Sequence, residues 1–543
     1  MDTDGSNLTI PHNMVRSLDI GQVSFTENGI DSFFWPLDNK KTTELMDSLT
    51  ADLIPYITEN QERLAELVAC RLLFKWLICE ILRLFEATVL VSECERQGVK
   101  PIIPRHYRKL RSLYNAEEIN CDFFDKLKSG PAYGRKMPRF LKRLGKEIIW
   151  NGFDVRLLKK YGSNSEDVLA LAPSALALKH ARGKKKLLRY SGFDEWFRPM
   201  PQNKLSILAS TVPCFGEIVG MVEEKFRDSG YILPAEASVY LSNWLCQADQ
   251  FVSYHLESCP RQFDRIEGEV WFGCGGSSVW HTILIEKLRR RRVKIITHDH
   301  GSGNSHHEQT PVHWVEFMHT DQFVTFNQAN EENRNRQFRQ ELIFGQNAPS
   351  IVSLDRLLGN TVYEVPPTTL RAGQIKKVMY VGTAFHGEGA RLRPIFHDMT
   401  YFDWQIKLLA HLKSLNIEVI YKPHPEGATR VPEGFAESFG FTTTTKNFET
   451  VREEVDAYII DFLFSSTTPA VLKSGKPVFF INLGYPALIP EALALIKKSL
   501  YYFDATYSND SRLSIDFDEF DRCILKNCHV YDSNFSNKYF INV

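Results

Sequence analysis

Between residues 267 and 482, short apolar runs alternate with helical stretches, and this alternation limits the possible folds more than any other feature of the chain. "EGEVWFGCGGSS" (267–278) reads as a strand entering a glycine turn, "VWHTILIEKLRRRR" (279–292) as a helix and "VKIITHDHG" (293–301) as the next strand. "DQFVTFN" (321–327) is a third strand. A Pro-bearing stretch, "GNTVYEVPPTTLRAGQ" (359–374), then breaks the pattern like a linker. The alternation restarts with strands "KKVMYVGTA" (376–384), "IEVIYKPHP" (417–425), "DAYIIDF" (456–462) and "KPVFFIN" (476–482). Helices are expected at "DWQIKLLAHLKSL" (403–415) and "SSTTPAVLKSG" (465–475), the latter short, capped and closed by glycine. Strands separated by helices predict βαβ crossovers and parallel sheets. The expected fold class is α/β: two Rossmann-type domains facing a cleft, with an additional helical N-terminal region.

A chain of 543 residues exceeds one core. The expected division is a helical region 1–130, a Rossmann-like domain 131–365, a second one 376–505 and a C-terminal tail 506–543. Residues 130–265 carry helical patterns that do not place themselves. The 65 basic and 66 acidic residues leave a formal charge of −1, which argues against nucleic acid as a partner. The basic runs "KHARGKKKLLRY" (179–190) and "EKLRRRRVK" (286–294) are solvated faces in the ordinary case and anionic or membrane-surface contacts in the other. Ten cysteines without a Cys-x-x-Cys pair suit reduced thiols. The apolar stretch 64–91 is broken by Glu66, Arg71, Lys75, Glu80, Arg83 and Glu86 at helical spacing, so it reads as a helix of the fold and not a membrane span. With no secretory signal visible in "MDTDGSNLTIPHN", the expected location is cytoplasmic, with peripheral contact at the inner membrane face.

Ligands of open parallel sheets bind beyond the carboxyl ends of the strands. Three unusual segments stand at such ends: "GTAFHGEGARLR" with Thr383, Arg391 and Arg393, "KPHPEG" with Lys422, His424 and Glu426, and "DFLFSSTTP" with Ser465, Ser466 and Thr467. Two prolines flank His424, so the strand stops there in a stiff loop. Hydroxyls before an apolar helix, together with its first N–H groups, suit an anion. Taken singly, a His-Pro is weak and Ser-Ser-Thr-Thr is most often an N-cap. Together they predict a phosphate site. Arg391 and Arg393 suit a sugar carboxylate, or else are exposed loop residues.

"YKPHPEG" followed by "DFLFSSTTPAVLKSGKPVFF" resembles the donor-binding domain of bacterial GT-B glycosyltransferases that build capsule and lipopolysaccharide. Kdo transferases and polysialyltransferases share a His-Pro motif, matched here by His424 and Pro425, and a serine motif, matched by Ser465 and Ser466. The resemblance covers roughly 267–485. It implies a CMP-activated acidic sugar donor (Kdo or a nonulosonic acid), a glycan or glycolipid acceptor, inversion, and no cofactor or metal. CDP-glycerol polymerases carry a similar His-Pro, serine pair and Lys-Pro, here Lys476-Pro477, and supply the alternative of glycerophosphate transfer. A non-catalytic scaffold of the same fold is a third possibility.

The stretch 297–327, "THDHGSGNSHHEQTPVHWVEFMHTDQFVTFN", resembles the His-Gly-Gly/Ser-Gly loop of related transferases, which precedes an acidic residue and another strand. An inverting transfer needs a carboxylate to take the acceptor proton. Glu308 is the first choice for this base, Asp299 the second, and His300 would orient it. The adjacent acidic residues of the sialyltransferase pattern are absent. His298, His300, His306, His307 and Glu308 are also metal-ligand types, but the HExxH spacing is missing. "GCGGSS" (273–278) lacks the lysine of a P-loop and the GxGxxG spacing; its glycines suit close backbone approach, and Ser277 or Ser278 a contact in the cleft.

Overall fold

A computed structural model describes residues 15–37, 39–61, 64–121, 123–128, 168–171, 173–181, 187–190, 197, 200, 212–258, 263–264, 266–299, 305–308, 311–344, 348–358, 375–385, 396–425, 430–465, 467–484, 486–508, 510–526 and 532–540. Two six-stranded parallel sheets organise the chain.

The first sheet uses β1 (Val168–Leu171), β2 (Leu187–Tyr190), β3 (Glu269–Phe272), β4 (Lys294–His298), β5 (Gln322–Thr325) and β6 (Ser350–Ser353), in the order 2-1-3-4-5-6. The second uses β7 (Lys377–Val381), β8 (Glu418–Lys422), β9 (Thr442–Thr443), β10 (Ala457–Ile460), β11 (Val478–Asn482) and β12 (Tyr501–Asp504). Its order is 9-8-7-10-11-12, the 3-2-1-4-5-6 plan of dinucleotide-binding folds. The strands are continuous apolar runs such as Val-Met-Tyr, Ala-Tyr-Ile-Ile and Val-Phe-Phe-Ile, as a sheet covered on both faces requires. Two Rossmann-type halves are therefore present, and the unplaced stretch 130–265 supplies the two outer strands β1 and β2 of the first.

Helices α1 (Asn39–Asn60), α2 (Phe74–Gln97), α3 (Pro213–Asp228) and α4 (Ala235–Glu257) pack as a layer on the first half. They meet it through α5 (Val279–Arg289), where Arg71 pairs with Glu286 at 2.8 Å. Further elements are α6 (Gln328–Gln337), α7 (Asp398–Ser414), α8 (Thr468–Leu472), α9 (Pro490–Ser499), α10 (Phe517–Lys526) and α11 (Asn534–Tyr539). Among the described residues, no helix is long and apolar enough to cross a membrane.

The two terminal regions differ from the expected separate region and tail. Residues 15–37 lie on the second half: Ile30 N–H donates to Asp403 of α7 at 2.8 Å, and Trp35 stacks on His397. This explains why α7 is buried on nearly every face. Residues 506–540 are packed too. Phe520 of α10 lies against Phe479 of β11, and α11 crosses to the first half, where Asn327 and Asn330 of the α6 N-terminus donate to the carbonyls of Lys538 and Tyr539. The run 286–294 is largely spent inside the fold. Arg289 donates to Met318 O and pairs with Asp321, Arg291 donates to the carbonyls of Phe263 and Ile266, and Arg290 pairs with Glu286.

Candidate functional site

In an open α/β sheet, the crevice opens where the strand order reverses. In the second half that point lies between β7 and β10. The exit of β7 is tight. A Cβ on Gly382 would come within 2.9 Å of Gln405 Nε2 and 3.1 Å of the Tyr401 hydroxyl, so glycine is what lets the strand leave against α7. Thr383 follows, buried, with its N–H donating to the Tyr401 oxygen at 2.7 Å. The exit of β10 begins with Asp461, which is fully buried. Its carboxylate accepts from the Tyr380 hydroxyl at 2.5 Å, the Tyr401 hydroxyl at 2.9 Å and Trp404 Nε1 at 3.3 Å. Burial pushes Asp461 up to about 6 against these hydrogen bonds, which pull it down.

Next to this crevice stand the other expected donor-binding residues. Lys422 ends β8 as a buried side chain whose ammonium donates to Lys446 O at 2.7 Å; burial lowers its pKa. His424 is half-buried in the following Pro-His-Pro turn. In the loop after β10, Ser465 Oγ accepts the Thr467 N–H at 3.2 Å, and Thr468 Oγ1 donates to Leu463 O at 3.0 Å. The short helix expected over 465–475 is the five-residue α8, with Gly475 left-handed behind it. Thr467 precedes it without a capping side-chain bond, and Pro469 sits in its first turn. The hydroxyls thus shape the turn before α8 and do not cap it. Thr383, Lys422, His424, Ser465 and Thr467 all lie at the carboxyl ends of β7, β8 and β10. Glu426, Ser466, Arg391 and Arg393 fall outside the described residues, as does His300.

The first half reverses its order between β1 and β3, and the loop after β3 is "GCGGSS". A Cβ on Gly276 would stand 2.2 Å from Val315 O, and one on Gly275 2.8 Å from His319 Cβ. These glycines let the loop lie on the segment 312–319. Glu316, buried there, accepts the Gly275 N–H at 3.1 Å and the Cys274 thiol at 2.7 Å, while Lys75 donates to Gly276 O at 3.0 Å. Burial pushes Glu316 up to about 7. Ser278 caps α5 by accepting the His281 N–H, and the Ser277 hydroxyl lies 2.6 Å from His281 Nδ1. Both serines are thus engaged within the loop and the start of α5.

The carboxyl-end loops of the two sheets meet. Ile489 N–H donates to His306 O, Glu308 N–H donates to Ala487 O at 2.8 Å, and His307 bridges to Leu488. The His307 ring also contacts Phe464, next to Ser465, at 5.9 Å between centroids. Glu308 is exposed at this junction. Asp299 is not: it is buried, accepts from Thr325 Oγ1 at 3.2 Å and lies 3.7 Å from the Arg334 guanidinium. Among the described residues, the histidines of this segment do not converge on one point, although the rings of His306 and His307 lie 4.1 Å apart. His298 faces His180 at 3.2 Å and is driven down to about 3 by burial, while His306 packs among Phe535, Tyr539 and Phe540. Among the described residues, no three His, Cys, Asp or Glu side chains converge as a metal site would require.

Sequence reasoning missed Asp461, its Tyr380–Tyr401–Trp404 partners, and Glu316. A signal for Asp461 existed. It is an acid placed directly after the four apolar residues of β10 and four residues before the serines.

No protein-family model matches this sequence, and no curated protein does. Among solved structures, the chain is similar to a UDP-glucosyltransferase from Polygonum tinctorium capable of glucosylating indoxyl, in a complex with 3,4-dichloroaniline. The likeness covers 69% of this chain and 93% of that one, at 11% identity and a TM-score of 0.32. A likeness of that size says nothing about donor or acceptor.

Proposed function

We propose that the chain is an inverting glycosyltransferase of GT-B type, moving an acidic sugar, Kdo or a nonulosonic acid, from a CMP-activated donor to a cell-surface polysaccharide or lipopolysaccharide acceptor. The observation that carries this reading is the meeting of two parallel sheets by their carboxyl-end loops, with Phe464 and Ser465 on one side and His307 and Glu308 on the other. The sugar class rests on the resemblance of the His-Pro and serine motifs.

In this reading His424, Ser465, Ser466 and Thr467 receive the CMP phosphate, with Lys422 and Thr383 beneath them, and Glu426, Arg391 and Arg393 hold donor hydroxyls and the sugar carboxylate. Glu308 is favoured over Asp299 as the base because it is exposed at the junction, whereas Asp299 is committed to Thr325 and Arg334. His300 would orient the base. The Glu308 carboxylate takes the proton of the acceptor hydroxyl, and the freed oxygen attacks the anomeric carbon. The bond from that carbon to the phosphate oxygen breaks, and CMP leaves with the electron pair. Hydrogen-bond donors around the phosphate stabilise the charge that develops there.

A thermal-shift titration with CMP, CDP, UDP and GDP tests this on wild type and His424→Ala. A ligand that binds only the folded state raises Tm, by an amount equivalent to about 2.7 kcal/mol at 100 times Kd. Stabilisation by CMP that the variant loses is the expected result. A preference for CDP would move the reading to glycerophosphate transfer, and no response to any nucleotide would end it.

A further inference from the structure

Asp461 is a carboxylate where the fold has no packing need for one. Burying a charge is costly unless its partners are in place, and an apolar residue of similar size is often cheaper. The hydrogen bonds described for Asp461 come from neutral groups: Tyr380 of β7 and Tyr401 and Trp404 of α7. What they accomplish is visible in the second bond of Tyr401. A phenol has one proton and an oxygen that also accepts. With its proton turned to Asp461 at 2.9 Å, the Tyr401 oxygen is left to accept the Thr383 N–H at 2.7 Å. Thr383 is two residues past β7, and Asp461 is the first residue past β10. The relay therefore spans the two strands between which the crevice opens.

We propose that Asp461 is a positioning residue of the ligand crevice: through Tyr401 it ties the exit of β10 to the exit of β7 and sets the spacing into which a nucleotide phosphate fits. This rests on the functional reading above. Asp461 acts through Tyr401 and touches no ligand. Gly382 belongs to the same device, because its missing side chain leaves the Tyr401 hydroxyl room beside the strand. Deleting the Tyr401 hydroxyl frees the Thr383 amide and loosens the turn, while the aromatic packing with Phe385 and Phe396 remains.

The test uses the full chain as wild type, Tyr401→Phe, Asp461→Asn and, for comparison, Tyr421→Phe. Tyr421 is equally buried and donates its hydroxyl to Gln405, not to Asp461, and does not receive the Thr383 amide. Two quantities are measured: CMP affinity by calorimetry, and amide exchange at Thr383 without ligand. Tyr401→Phe is expected to weaken CMP at least tenfold and to speed Thr383 exchange at least tenfold; Tyr421→Phe is expected to stay within twofold in both. Asp461→Asn keeps the side chain's shape, and is expected to weaken CMP by a smaller factor and to carry the test if Tyr401→Phe does not fold. Equal effects from Tyr401→Phe and Tyr421→Phe would reduce the relay to ordinary core packing and overturn the proposal. Unchanged CMP affinity in both relay variants would overturn it while leaving the functional reading intact. Failure of wild type itself to bind CMP would overturn the functional reading, and the positioning role with it.

Discussion

Each half of the molecule hides one carboxyl group beneath the loop at its point of strand reversal, and the two are held in opposite ways. Glu316 grips its loop directly, through the Gly275 amide and the Cys274 thiol, with Lys75 anchoring the next carbonyl. Asp461 grips its loop at one remove, through a phenol. The glycines differ accordingly. Gly276 faces the backbone carbonyl of Val315, whereas Gly382 faces the ends of two side chains, Gln405 and Tyr401. The first loop is cast against main chain; the second rests on groups that have rotamers. An adjustable crevice is expected in the second half and a fixed wall in the first.

Gly276→Ala is the harshest way to break that contrast. Its new methyl would meet a backbone oxygen that cannot rotate away, and a loss of about 4 kcal/mol or more in denaturant unfolding is expected. The pH dependence comes next. Both carboxyls are pushed up by burial, so the fold favours their protonated forms. The stability each contributes is complete below the ordinary carboxylate range and is lost as pH rises, through about 7 for Glu316 and through about 6 for Asp461. Glu316→Gln should therefore remove a decline on the order of 3 kcal/mol across that window. Asp461→Asn should remove one that ends about a pH unit lower, and urea midpoints at a series of pH values would separate the two windows. Gly382→Ala is expected to cost less, about 1–2 kcal/mol, because side-chain ends can yield. A cost equal to that of Gly276→Ala would erase the contrast between the halves. Smallest of all is Arg290→Ala: the guanidinium is half exposed and the buried Glu286 keeps its pair with Arg71, so the loss should stay within about 1 kcal/mol by the same measurement.

The halves were also unequally legible in the sequence. Strands β7, β8, β10 and β11 could be read one by one, because each is an apolar run ended by Gly, Pro or a polar residue. Strands β1 and β2 could not. "VLAL" lies in a Leu- and Ala-rich stretch that reads as helix, and "LLRY" closes a basic run that reads as surface. β1 becomes a strand because it is buried beside β3, and β2 because it pairs with β1 in turn, a tertiary effect that local propensity does not contain. The candidate site follows the same rule. His424 and Ser465 were readable from proline and hydroxyl chemistry, while Asp461 and Glu316 were not, since an acid in a core is the exception that sequence patterning discounts. The cluster 297–308 looked like one site and is three separate environments: His298 and Asp299 turned inward, His306 among aromatic rings, and Glu308 at the junction.

The paths of the two terminal segments carry a consequence for how the protein is made and dissected. Residues 25–30 finish the second half, and α11, packed on α9 of the second half, reaches across to bond α6 of the first, so each half is bound by a piece encoded beyond the other. Ile30 must wait for Asp403, 373 positions later, before its amide finds its partner. A ribosome therefore releases the first hydrophobic hairpin long before its seat exists, which slows folding and exposes apolar surface on the way. Cutting between the sheets would yield two fragments, each holding the other's clasp. Such fragments should be poorly soluble when produced singly and should recover a common fold only when produced together.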